Sequence, residues 1–147
     1  MNRDLFLAIL SMDSYNRGYG QGVNNLPDLG SVGTAVIKDI PLPAGSVQTG
    51  FYAIAYDVSG VSGLSGTVIA YRGTDDPLPD LVNGYGVGAG RPYGEQARLS
   101  VQFYNAVTGR APESGIHGNA AVMITGHSLG GGLAVNDNGG AAWRAAA

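Results

Sequence analysis

Cysteine is absent from this chain. That excludes disulfides and thiolate metal sites and leaves the redox compartment open. Charge is scarce as well: 13% of residues are charged and the net charge is −3. With no basic face, nucleic acid is not an expected partner. No apolar run reaches bilayer length; the longest near the start is Leu5-Phe6-Leu7-Ala8-Ile9-Leu10, too short to span. No small-residue cleavage site follows it, so neither a signal peptide nor a transmembrane segment is expected at the N-terminus, which reads as mature or intracellular. No metal-ligand spacing such as H-x-x-x-H and no phosphate-binding P-loop occurs, so no metal or cofactor is expected.

Glycine is plentiful: 25 in 147 residues, well above the usual roughly 7%. The glycines follow no fixed period, which excludes collagen and a simple linker. The length suits one domain with a substantial core.

Asn2 or Asp4 can cap a first helix running to about Met12, with Leu5, Leu7, Ala8, Ile9 and Leu10 as its buried side. Residues 18–22 are a glycine break. Residues 34–40 and 51–58 read as strands, 59–66 as a Gly/Ser turn and 67–71 as a continuous apolar strand, so the latter two strands should pair antiparallel. Residues 72–92 form a long loop, of a length usually functional or mobile. Residues 95–107 have helical spacing at Ala97, Val101, Tyr104 and Val107, with Leu99 and Phe103 beside them. Residues 120–125 form a short apolar strand.

That last strand leads into Gly126-His127-Ser128-Leu129-Gly130, the G-x-S-x-G pattern of a nucleophile elbow. In a chain holding this much glycine and serine, chance alone supplies roughly 0.3 such matches. The context adds weight: a buried strand precedes the motif and small residues follow it. A tight strand-to-helix turn leaves no room for side chains at Gly126 and Gly130. It would hold Ser128 exposed above the sheet, with the backbone N–H of Leu129 as one oxyanion donor. The alternative is a glycine-rich turn with an idle serine.

Together with Tyr71-Arg72-Gly73-Thr74-Asp75, the stretch Thr125-Gly126-His127-Ser128-Leu129-Gly130-Gly131 resembles the class 3 lipase family. The resemblance covers residues 11–134. It implies an α/β fold, a partial α/β-hydrolase: a mixed sheet with flanking helices, ending shortly after the strand of the serine motif. It implies a carboxylic-ester hydrolase, lipase or esterase, with Ser128 as nucleophile and Thr74 and Leu129 as the oxyanion hole. The partner is then an ester or lipid substrate, with residues 77–92 as a lid or acyl-chain wall. Arg72 is expected to be structural, paired with Asp75 or Asp76, and Asp75 to order the oxyanion loop, with a displaced triad role as its alternative. His127 matches a packing position of the family.

The departures from the family are as informative. The hydrolase triad runs Ser, then Asp or Glu, then His. No histidine follows Ser128, and Asp137, the one carboxylate that does, lies too close to the motif to serve as triad acid. His117 precedes a strand of about 20 Å and belongs at its far end, beyond reach of Ser128. Residues 135–147 contain Asn136-Asp137-Asn138-Gly139-Gly140, a turn signal where the family has an apolar helix. The expectation is therefore an N-terminal hydrolase part, 1–134, with an atypical tail, 135–147. Such a chain is either an ester hydrolase or an incomplete one that is inactive or needs a partner chain; a binding module is the weaker third reading. An elbow strand with no neighbour beyond it would leave an apolar edge, which predicts a homo-oligomer or a tail folded over that edge.

Overall fold

The computed structural model describes residues 2–19, 31–73, 94–115, 117–127 and 130–131. Helix α1 (Arg3–Asp13) continues into a 3-10 turn, Ser14–Asn16. Five strands follow in one sheet: β1 (Ser31–Val32), β2 (Ala35–Lys38), β3 (Ala53–Asp57), β4 (Thr67–Tyr71) and β5 (Val122–Gly126). Helix α2 (Glu95–Val107) lies in sequence between β4 and β5.

The sheet order is β1-β2-β3-β4-β5. The first four strands are antiparallel neighbours, whereas β5 joins β4 in parallel. A parallel neighbour requires a crossover, and α2 supplies it. The result is a mixed sheet with a helix on each face, an α/β arrangement. Among the described residues β5 pairs with β4 alone.

The strict two-residue alternation of strand side chains builds the two layers. Ala53, Ala55, Ile69 and Tyr71 face α2, where they meet Leu99, Phe103 and Tyr104 together with Val122 and Ile124 of β5. Ile54, Tyr56, Val68 and Ala70 face α1 and meet Phe6, Leu7 and Leu10. β4 is buried along its whole length because both faces are covered. That explains its unbroken apolar sequence.

The side chain of Asn2 caps α1 by accepting the Asp4 amide at 2.8 Å. α1 departs from expectation at Leu5, which is 56% exposed. Its buried side runs instead through Phe6, Leu7, Leu10, Ser11 and Asp13, because the sheet covers only that arc. α2 spans the residues its periodicity predicts, and Ala97 and Tyr104 of the predicted face are buried. Leu99 and Phe103 are fully buried, while Val101 and Val107 are half-buried. β2 is shorter than the predicted 34–40, and β1 was not anticipated. The predicted tail, 135–147, and the predicted loop 72–92 beyond Gly73 lie outside the described residues.

Candidate functional site

Two motif segments meet at one end of the sheet. In the parallel β4–β5 pair, Tyr71 is the register partner of Gly126. The Arg72-Gly73 segment and the His127 segment therefore leave the carboxyl ends of neighbouring parallel strands. Crevices beyond such ends are where open α/β sheets bind ligands.

Gly126 and Gly130 are close-packed backbone positions. A Cβ on Gly126 would fall on the carbonyl of Gly130 and within 2.8 Å of the Gly131 nitrogen. A Cβ on Gly130 would strike the Tyr71 carbonyl and sit 3.0 Å from the Arg72 carbonyl carbon. These are backbone atoms, which cannot rotate aside. Gly130 N–H donates to the His127 carbonyl at 3.0 Å, and Gly130 and Gly131 are helical. Gly130 thus lies against the end of β5 and packs on the end of β4. This matches the space argument for both glycines. Ser128, Leu129 and Thr74 themselves lie outside the described residues, as do Asp75, Asp76 and Asp137.

Arg72 is buried at 2% exposure. Its guanidinium carbon stands 4.6 Å from the ring centroids of both Tyr19 and Tyr52, a cation–π sandwich. Its Nη1 donates to the carbonyls of Arg17, at 3.3 Å, and Tyr19. The Arg72 amide donates to the Tyr52 carbonyl at 3.0 Å. These contacts pin segment 14–19 across the end of β4; the expected partners of Arg72, Asp75 and Asp76, lie outside the described residues.

That segment carries a residue to which the sequence reading gave no role. The Tyr15 hydroxyl accepts the Gly73 amide at 3.1 Å and forms a 3.2 Å hydrogen bond with Nδ1 of His127. The two rings meet edge-on at 6.1 Å. His127 is exposed, and its packing partner is the Tyr15 ring. His117 is also exposed. It precedes β5, and its carbonyl accepts the Tyr104 hydroxyl at 2.9 Å.

Beneath segment 14–19 lies a buried ionic network. Both Arg17 Nε and Nη2 donate to Asp13 at 2.9 Å, and the Tyr56 hydroxyl donates to the same carboxylate at 2.7 Å. Burial first, then the hydrogen bond to Asp13 and its negative charge, hold the Tyr56 phenol far above its ordinary value. The Asp13…Arg17 spacing was a sequence signal for this pair. Nothing in the sequence pointed to Tyr56 or Tyr15 as partners across the fold.

A cavity of about 280 Å³ is lined by Ile37, Ile40, Leu42, Tyr52, Ala53 and Ile54 with Lys38 and Asp39. The register puts it at the same sheet end, since Ala53 pairs with Tyr71. Among the described residues no group of three or more His, Asp or Glu assembles as a metal site, and no helix is long and apolar enough to cross a membrane.

No family model matches the chain, and neither the curated proteins nor the solved structures compared with it gave a match.

Proposed function

We propose that this chain is the N-terminal part of an α/β-hydrolase of the class 3 lipase type, a serine hydrolase of carboxylic esters. The observation that carries the reading is the packing of Gly130 on the Tyr71 carbonyl. It brings two motifs distant in sequence together at the carboxyl ends of adjacent parallel strands. Each half of the G-x-S-x-G motif occupies a position with no space for a side chain, the requirement of a nucleophile elbow.

On this reading Ser128 Oγ attacks the ester carbonyl and gives up its proton to a general base. The developing oxyanion takes hydrogen bonds from the Leu129 and Thr74 amides. The alcohol leaves with a proton, and water then hydrolyses the acyl-enzyme. Loss of one oxyanion donor would cost about 10²–10³ in rate.

The experiment is hydrolysis of a short-chain p-nitrophenyl ester by this chain and by Ser128→Ala at matched concentration. Turnover lost in the variant supports the reading. Equal rates at background favour a second reading, an incomplete hydrolase. That reading rests on the absence of any histidine after Ser128 within these residues, with the general base supplied from outside them. The pairing of β5 with β4 alone among the described residues supports a further element of the proposal, self-association through the β5 edge. Light scattering that returns a strict monomer at all concentrations would contradict it.

A further inference from the structure

We infer that Tyr15 is the positioning residue of this site, a hydroxyl bridge that fixes the two motif segments relative to one another. The inference rests on the ester-hydrolase reading for its catalytic consequence, but the bridge itself is a matter of geometry. Gly73, the immediate neighbour of Thr74, donates its amide to the Tyr15 oxygen at 3.1 Å. His127, the immediate neighbour of Ser128, holds its Nδ1 at 3.2 Å from the same oxygen. One hydroxyl therefore contacts the residue before the proposed oxyanion donor and the residue before the proposed nucleophile.

The Tyr15 oxygen accepts from Gly73, and towards His127 it donates to Nδ1 when the ring proton is on Nε2 and accepts when that proton is on Nδ1; either way one hydroxyl joins the two segments. Tyr15 is itself held from below. It follows α1 within the 3-10 turn, and two residues on, Arg17 is bound to buried Asp13 through its side chain and to Arg72 through its carbonyl. The bridge is thus anchored on the protein interior and reaches outward to the strand ends. Acyl transfer needs the nucleophile and the oxyanion donors at a fixed separation, and a 1 Å misplacement from outside the chemistry can cost about 10²-fold. A rigid tie between the two loops meets that demand, and neither strand supplies it beyond Tyr71 and Gly126, where their pairing ends.

The test is Tyr15→Phe, which keeps the ring edge-on against His127 and deletes only the hydroxyl. Three readouts apply: hydrogen exchange of the Gly73 amide, the ring ¹⁵N resonances of His127, and kcat and KM for a p-nitrophenyl ester. The expected result is faster exchange at Gly73, an Nδ1 resonance moved toward that of an unbonded ring, and kcat lowered about tenfold at unchanged KM. Tyr104→Phe removes a comparable hydroxyl, bonded to the His117 carbonyl ahead of β5, and is expected to leave all three unchanged. Unmoved Gly73 and His127 signals in Tyr15→Phe overturn the bridge. Moved signals with an unchanged kcat overturn its positioning role. If wild type and Ser128→Ala hydrolyse the ester alike, the hydrolase reading fails on its own. The two spectroscopic readouts then decide the bridge, moved signals supporting it and unmoved ones refuting it.

Discussion

Adding one methyl group at Gly126 should be among the most damaging small changes to this protein. Its Cβ would overlap the Gly130 carbonyl and come within 2.8 Å of the Gly131 nitrogen. No rotamer relieves the contact, because both sides are backbone. Either β5 shifts against β4 or the turn opens, and forced overpacking of this kind costs about 1–3 kcal/mol or more. Gly131→Ala is the internal reference. Its Cβ would lie 3.5 Å from the Gly126 carbonyl oxygen, an ordinary contact. In a helical residue the same substitution gains roughly 0.5–1 kcal/mol by propensity. The two alanine variants, identical in composition, should therefore differ by about 2–4 kcal/mol. At about 3 °C per kcal/mol for a domain of this size, that separates their Tm values by roughly 6–12 °C. Urea unfolding followed by far-UV circular dichroism measures the difference directly. If Gly126→Ala and Gly131→Ala unfold at the same midpoint, the close-packed turn described above does not exist. The main support for the serine site then goes with it.

Other expectations follow from the interior. Asp13→Ala should cost about 3–5 kcal/mol by removing the buried carboxylate that Arg17 and the Tyr56 hydroxyl share, whereas the exposed Glu95–Arg98 pair, at 2.6 Å, should yield less than about 1 kcal/mol on Glu95→Ala; double-mutant cycles in urea separate the two. Leu10→Ala, at a fully buried position, should lose about 2–5 kcal/mol, and Leu5→Ala on the exposed side of the same helix about 0.5 kcal/mol or less, as thermal melts would reveal. The Tyr56 phenol is raised above its ordinary 10.0, by burial first and the Asp13 hydrogen bond second. The unfolded chain therefore releases this proton before the folded one does. The stability it contributes is complete below about pH 10 and falls as pH rises above that, by up to about 1.4 kcal/mol per pH unit. Unfolding free energies measured across the alkaline range should fall less steeply in Tyr56→Phe, and identical slopes would contradict the assignment.

Much of the architecture was legible because it is local. Residues 67–71 form a buried strand because five apolar or branched residues in a row admit little else, and β4 has those bounds. Glu95–Val107 is helical because its polar and apolar residues repeat at a helical period before the Gly109 stop. Residue type narrowed the α1 cap to Asn2 or Asp4, and the structure selects Asn2. The close packing at Gly126 and Gly130 could be anticipated, since the motif makes sense only where backbone approaches backbone.

What the sequence could not decide was which part of each helix the sheet would cover. Leu5 is as apolar as Leu10, yet one is exposed and the other has no accessible surface; helix α1 has more apolar surface than the sheet beneath it can cover. Nor could it specify partners that meet only after folding. Tyr15, Gly73 and His127 lie far apart along the chain and share no periodicity, and their meeting depends on the parallel register of β4 and β5. The same holds for Tyr56 reaching Asp13 and for Arg72 between Tyr19 and Tyr52. The sequence by itself determined most of the helices and strands and the close backbone approach at Gly126 and Gly130, because these depend on neighbouring residues. The tertiary structure decided which loops meet and which side chain joins them, because hydrogen bonds across the fold form only once the strands have fixed their register.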